Sequence, residues 1–275
     1  MKTDILHAFK QRLTSNPVYG PFSKSTDPAF VEAAGYAGFD FIILDLEHGP
    51  SSTQNLQNLI RGAEVAGVLP IVRVKEAPRT LIGEVLDIGA AGVQVPQIST
   101  ADDARAAVAA AKFGAGGGRG VCRFVRAARY ATTAGSEYLE RANEALVILQ
   151  LEGQQALDNV ESILAVSGID VVFIGPYDLS QSLGYPGEVE HPEVVRAVTS
   201  IVQQCRARGV IVGTFVDAPE AAERWLAAGV RYLSYSVDLG IFTEACRNLL
   251  GVLHGAGARA TGRILHEMST DAPPN

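Results

Sequence analysis

Eight short runs of β-branched and aliphatic residues recur along the 275-residue chain, each followed by an amphipathic, alanine-rich stretch. This repetition constrains the fold more than any other feature, because parallel strands need long crossovers and a helix is the usual way to make one. The runs are PVYGPF from Pro17, DFIILDL from Asp40, LPIVRV from Leu69, AGVQV from Ala91, LVILQLE from Leu146, DVVFIG from Asp170, VIVGTF from Val210 and RYLSYSV from Arg231. Between the second and third, Leu56, Leu59, Ile60 and Ala63 fall at helical spacing and predict one apolar face against a sheet. Asp27 ahead of Pro28, and Asp217 three residues ahead of Glu220, are helix-start signals.

Eight regular units predict an α/β fold closed into a (β/α)₈ TIM barrel, with a doubly wound open sheet as the alternative. No linker or shift in composition divides the chain, so residues 1–255 read as a single barrel domain and 256–275 as a flexible C-terminal tail ending DAPPN. The connection from about Ser99 to Ala145 is longer than the others and holds the glycine-rich FGAGGGRGVCRFVRAARY, a length that suggests a functional loop.

Apolar residues make up 47 % of the chain and charged residues 19 %, enough for a large core. A net charge of -7 argues against nucleic acid as a partner. The opening MKTDILHAFKQRLTSN lacks the apolar run of a signal peptide, and no later stretch reaches the roughly 20 apolar residues of a membrane helix, so no membrane is expected and the protein reads as cytoplasmic. Cys122, Cys205 and Cys246 have no C-x-x-C spacing; they signal neither a disulfide framework nor a zinc site, and interior packing is expected of each.

Barrel enzymes work at the carboxyl ends of their strands. The polar groups that fall there are Asp45, Glu47 and His48 after the second strand, Arg73 on the third, Gln97 after the fourth, Gln150 and Glu152 on the fifth, Asp178 after the sixth, Asp217 after the seventh and Asp238 after the eighth. Several carboxylates on one mouth repel unless cations intervene, and an all-oxygen donor set suits Mg²⁺ or Mn²⁺. Glu152 and Asp178, from adjacent strands, are the preferred metal pair. The alternative is that Asp178 caps the turn after it and Glu152 pairs with an arginine. Arg73, a cation among Ile71, Val72 and Val74, needs an anionic partner: Glu47 or Glu152 structurally, or a substrate enolate or carboxylate. His48, three residues after Asp45, suits a general base whose tautomer a carboxylate sets; a structural histidine is the alternative.

No lysine follows Lys112, and only Lys24 and Lys75 lie near the mouth, which excludes a Schiff-base lysine on the later strands and favours a metal route. The run Gly116 to Gly120 matches no nucleotide-binding motif. The acidic ends of the last two strands disfavour a phosphate group.

The segments DFIILDLEHGP, IVRV, GGRGVC, LQLE and VVFIGPYDLSQSLG, in this order, resemble the HpcH/HpaI aldolases over nearly the whole chain. These are class II, metal-dependent pyruvate aldolases on a barrel of the phosphoenolpyruvate/pyruvate-binding type. The resemblance implies a divalent metal, Mg²⁺ or Mn²⁺ with Co²⁺ able to substitute, on Glu152 and Asp178. It implies Arg73, His48 and Asp45 as catalytic residues, with Arg73 stabilising a pyruvate enolate and His48 and Asp45 handling a proton through water. Gln150 and the stretch Gly175, Pro176, Tyr177 would bind the 2-oxo acid beside Glu47, and Arg119 with the loop after it would reach the far end of the aldehyde. Gly153 and Tyr177 depart from the family pattern, which has threonine and a small residue at these places. The implied reaction is reversible cleavage of a 4-hydroxy-2-oxo acid to pyruvate and an aldehyde, in a homo-oligomer, typically a hexamer built as a trimer of dimers, with the last helix, within VDLGIFTEACRNLLGVLHG, exchanged between subunits.

Two other readings stand beside it. One keeps the enolate chemistry but decarboxylates oxaloacetate or condenses it with an acyl thioester, as a citrate synthase does. The other is a barrel that binds a keto acid without catalysis. The run Arg119, Arg123, Arg126, Arg129 suggests an acidic second substrate, or else a solvated helix face.

Overall fold

A computed structural model describes residues 3–75 and 79–270. The strands are β1 (Val18–Ser23), β2 (Phe41–Asp45), β3 (Leu69–Arg73), β4 (Gly92–Val95), β5 (Leu146–Leu151), β6 (Val171–Ile174), β7 (Ile211–Val216) and β8 (Tyr232–Val237). All neighbours pair in parallel, and β8 pairs with β1, closing the barrel in chain order. The open-sheet alternative is thereby excluded, and each strand lies within a residue or two of its expected place.

The helices are α1 (Thr3–Ser15), α2 (Pro28–Tyr36), α3 (Thr53–Ala66), α4 (Arg79–Asp87), α5 (Ala101–Ala111), α6 (Gly135–Ala142), α7 (Gln154–Leu164), α8 (Pro176–Ser182), α9 (Pro192–Ala207), α10 (Pro219–Ala228) and α11 (Asp238–Thr270). On α3 the predicted face, Leu56, Leu59, Ile60 and Ala63, is buried, and Ser52 caps the helix by accepting from the Asn55 amide. Asp27 caps α2 as its place before Pro28 predicts, accepting from the Ala29 amide at 2.9 Å. Asp217 does not cap α10: that helix has Ala218 at the cap position and Pro219 behind it, which leaves the Asp217 side chain to the barrel mouth.

Alternation along each strand divides the apolar side chains into two cores. One lies between sheet and helices and includes Ile42, Leu44, Val72, Val93 and Leu149. The other fills the barrel with Phe41, Ile43, Leu69, Ile71, Leu146, Ile148, Phe173 and Tyr232, and Leu6, Phe9 and Leu13 of α1 join it from the amino ends of the strands. With that end plugged, polar side chains on inward positions can meet a substrate only at the carboxyl ends.

The chain divides into two compact units, Met1–Val237 and Asp238–Asn275. The second is the helix α11, 33 residues long, which Asp238 opens. The segment expected as a tail from residue 256 falls within this helix as far as Thr270, and residues 271–275 lie outside the described residues. No helix among the described residues is long and apolar enough to cross a membrane.

Candidate active site

Register places Asp45 of β2 beside Arg73 of β3, and Arg73 beside Gln94 of β4. Arg73 Nε donates to Asp45 Oδ1 at 2.9 Å and Nη2 to Oδ2 at 2.8 Å, a bidentate pair buried at the floor of the mouth. Its Nη1 lies 2.9 Å from Glu47 Oε2, and the guanidinium sits 4.6 Å over the Phe22 ring. The anionic partners of Arg73 are therefore Asp45 and Glu47; Glu152, the other partner considered, is not one of them. Burial works to raise the Asp45 pKa, but the hydrogen bond and charge of Arg73, with the amides of His48 and Glu47, hold it below the ordinary carboxylate value. Burial raises that of Glu47 against the pull of Arg73 and His48.

This geometry changes what Asp45 can do. Arg73 engages both its oxygens, and its contact with His48 runs to the backbone N–H, at 3.4 Å, so Asp45 anchors the arginine and does not orient the imidazole. His48 itself is exposed at the end of β2, close enough for its charge to bear on Glu47.

Glu152 follows β5 and is 6 % exposed. Its Oε1 accepts from the Gln97 amide at 2.8 Å and its Oε2 from Gln150 Nε2 at 2.5 Å. Gln97 makes its contact from a left-handed backbone, φ 56, which a non-glycine residue rarely adopts without a local reason. Burial pushes the Glu152 carboxyl up to about 7; the bonds from Gln150 and Gln97 restrain the rise, and the negative charges of Asp178 and Glu47 add to it. Asp178 lies exposed in the first turn of α8, where Gly175 takes the cap position. A Cβ on Gly175 would stand 2.6 Å from Glu152 Oε2 and 3.3 Å from Gln150 Nε2, so a larger residue there would displace the carboxylate from its present place.

The expected crowd of carboxylates thus separates into two groups. Asp45 and Glu47 are balanced by Arg73, while Glu152 and Asp178 have no lysine or arginine nitrogen within ion-pair distance among the described residues. No group of three or more His, Cys, Asp or Glu suited to a metal is found among the described residues. Lys24 Nζ stands 3.9 Å from Asp45 Oδ2. Lys112, whose pKa burial lowers, donates to the carbonyls of Asn143 and Ala145 beside the start of β5, away from the mouth.

On the other side of the mouth the Tyr177 hydroxyl donates to Asp217 Oδ2, and its ring meets Phe215 edge-on at 6.0 Å. Burial and the Asp217 carboxylate push that phenol up to about 12. Pro176 occupies the first turn of α8 between Gly175 and Tyr177.

Arg119 is a correction. It does not reach the mouth: its guanidinium donates to Asp87 at 2.6 Å and covers Phe113 at 4.6 Å, beside a cavity of about 70 Å³ lined by Leu6, Ala91 and Ala145 at the amino ends of the strands. The spacing along the loop carried no sign of which end of the barrel it returns to. The basic run forms no continuous helix face: Arg119 and Arg123 lie outside any helix, Arg126 pairs with Glu64, and Arg123, which donates to the Thr133 carbonyl, and Arg129 are exposed. Of the cysteines only Cys205 is buried; Cys122 and Cys246 are exposed. Gln94 went unread because it stands inside an apolar strand. Its signal was parity: two residues on from Gly92, it shares the inward face with Arg73.

Fold and geometry together define a (β/α)₈ barrel whose carboxyl-end mouth holds a buried guanidinium with its two carboxylates and, apart from them, Glu152 and Asp178. The profile of the HpcH/HpaI aldolase/citrate lyase family matches residues 19–245, and the chain belongs to that family. A 2-keto-3-deoxy-L-rhamnonate aldolase of Escherichia coli is 37 % identical over 267 residues, covering 95 % of this chain and 99 % of the relative. Among solved structures, an HpcH/HpaI aldolase/citrate lyase family protein from Burkholderia cenocepacia J2315 superposes with a TM-score of 0.86 at 33 % identity, covering 90 % of this chain and 99 % of the other. The citrate synthase SbnG superposes with a TM-score of 0.82 at 29 % identity, covering 90 % and 98 %. The relative in Escherichia coli is by name an aldolase, a carbon–carbon lyase of the aldehyde-lyase type, and the chain is accordingly an enzyme of that family.

Proposed function

We propose that this protein reversibly cleaves a 4-hydroxy-2-oxo acid into pyruvate and an aldehyde, with Glu152 and Asp178 holding a divalent cation, Mg²⁺ or Mn²⁺. The observation that carries the reading is the state of Glu152: a buried carboxyl, aimed by two N–H donors, beside the charges of Asp178 and Glu47 and without a cationic side chain of its own. A divalent ion relieves that repulsion and accepts the all-oxygen donor set. When bound it supplies a Lewis acid for the keto group of the 2-oxo acid.

The remaining steps belong to side chains. Of the five N–H groups of Arg73, two donate to Asp45, while Nη1 stands beside the Glu47 carboxylate as an ion pair without a hydrogen bond; the remaining N–H groups serve the oxygen of the developing enolate, worth ~3 kcal/mol in the transition state. Asp45 holds that guanidinium in place. His48, exposed at the rim, takes and returns the proton of the substrate's C4 hydroxyl through water. Gln150 offers its second amide N–H to the 2-oxo acid, and the amides of Tyr177 and Asp178 at the opening of α8 receive its carboxylate; Gly175, whose N–H donates to the Leu151 carbonyl, and Pro176, which has no N–H, shape the wall beside it. Tyr177, held by Asp217, walls the side where the aldehyde leaves.

The test is to incubate the protein with Mg²⁺ or Mn²⁺, pyruvate and a panel of aldehydes, following aldol product and the exchange of pyruvate methyl protons in D₂O. Metal-dependent exchange and product are expected; exchange no faster than in the protein-free control overturns the proposal. The likeness to the citrate synthase SbnG favours a second reading, decarboxylation or acyl-thioester condensation of oxaloacetate. Carbon dioxide from oxaloacetate, or free thiol from acetyl-CoA, without aldol product would select it.

A further inference from the structure

The inward position of β4 level with Arg73 is taken by Gln94, which is fully buried. Its neighbour in register on β5 is Ile148, one of the apolar side chains that fill the barrel. An amide in such a place is unfavourable unless it is hydrogen-bonded, and a leucine or methionine would occupy similar space without that demand. Gln94 is only half satisfied. Its Nε2 donates to Gln150 Oε1 at 2.5 Å, while its own Oε1 is sealed from solvent and has no hydrogen-bond partner.

The arrangement has a direction. The Gln150 amino group faces Glu152, where it donates to Oε2 at 2.5 Å, because the carboxylate can only accept; its carbonyl is thereby turned to Gln94, which meets it with an N–H and holds that end in place. A reversed Gln150 would set its carbonyl oxygen against the carboxylate. Gly175 leaves room for this array, since a Cβ there would strike Glu152 and crowd Gln150. Sealed beneath Gln150, Gln94 acts on the site only through it.

We propose that Gln94 is a positioning residue for Glu152: it locks the amide of Gln150 so that the carboxylate is held in the orientation that receives the divalent cation. This rests on the cation reading above. Partners that orient metal ligands typically account for 10- to 100-fold in metal affinity.

The experiment is Mn²⁺ titration calorimetry on the full-length wild type, Gln94→Leu, Gln94→Met, Gln150→Leu and the double variant Gln94→Leu/Gln150→Leu, with thermal unfolding of each metal-free protein. Gln94→Leu and Gln94→Met should bind Mn²⁺ roughly 10- to 100-fold more weakly. Their unfolding temperatures should stay within a few degrees of wild type, because the orphan acceptor on Gln94 is exchanged for one on Gln150. The double variant should bind no more weakly than Gln150→Leu alone, the signature of a residue acting only through its neighbour. Wild-type affinity in folded Gln94→Leu, strictly additive losses in the double variant, or failure of both Gln94 variants to fold would each overturn the inference. If the wild type binds no Mn²⁺, the cation reading falls and this inference with it; if only the Gln94 variants are unaffected, the cation reading stands and Gln94 is core filling.

Discussion

Replacing Glu152 with glutamine should stabilise the metal-free protein at high pH and destabilise it slightly at low pH. The carboxyl ionises near 4.5 when unfolded and at about 7 when folded, because burial opposes its charge and Asp178 and Glu47 add to the effect. Between these values the folded state still holds a proton that the unfolded chain has released, so stability falls as pH rises, by about 1.4 kcal/mol per pH unit. Over the whole window this one group removes about 3 kcal/mol, and nothing further is lost above it. Glutamine at this position carries no charge but turns an amino group toward one of the two N–H donors, of Gln97 and Gln150, a mismatch of about 1 kcal/mol. Glu152→Gln should therefore be about 1 kcal/mol less stable than wild type at pH 4.5 and about 2 kcal/mol more stable at pH 8. Guanidinium unfolding of chelator-treated protein at the two pH values measures the difference, and saturating Mn²⁺ at pH 8 should reverse it by stabilising the wild type. A difference between variant and wild type that does not change with pH would refute the reasoning.

Arg73→Ala should nearly abolish both pyruvate exchange and aldol cleavage, and it should destabilise the fold by about 3–5 kcal/mol by leaving Asp45 buried without its counter-charge. Arg73→Lys separates the two effects, keeping a charge but losing the bidentate fork, and full activity in it would remove the assigned role. His48→Ala should lower the aldol rate ~10² to 10⁴-fold with an unchanged unfolding curve, and an undiminished rate would make the histidine structural. Gly175→Ala should prevent Mn²⁺ binding measurable by calorimetry, since the new Cβ falls 2.6 Å from Glu152 Oε2; normal affinity would contradict the packing at this position. Arg119→Met should cost about 2–3 kcal/mol of stability through the lost Asp87 pair, with kcat and KM of the folded enzyme unchanged. A tenfold fall in kcat/KM would return Arg119 to the substrate.

The barrel was legible because strand and helix periodicities are local: each βα unit carries its own alternation, and eight such units leave few ways to bury both faces of a parallel sheet. The position of Arg73, Gln150 and the end of β2 at the carboxyl ends of their strands likewise pointed them to one mouth. Partner choice was less legible. A buried arginine announced its need for an anion, but that Asp45 would take both forks, leaving His48 without its carboxylate, depended on a register between two strands 28 residues apart. Gln97 was placed at the mouth by its position after β4, yet its contribution is a backbone amide in a left-handed conformation, which no side-chain pattern encodes.

The amino-acid order by itself determined the number of units and the chemical inventory at the carboxyl ends, since these follow from short-range patterns of strand and helix residues. Only the tertiary structure decided that Arg119 returns to the opposite end of the barrel, that Asp217 holds Tyr177 and caps no helix, and that Gln94 stands beneath Gln150. The physical reason is range. Alternation and helix propensity act over a few residues, whereas a charge or an amide finds its partner across the closed sheet, where distance along the chain has no bearing on distance in space.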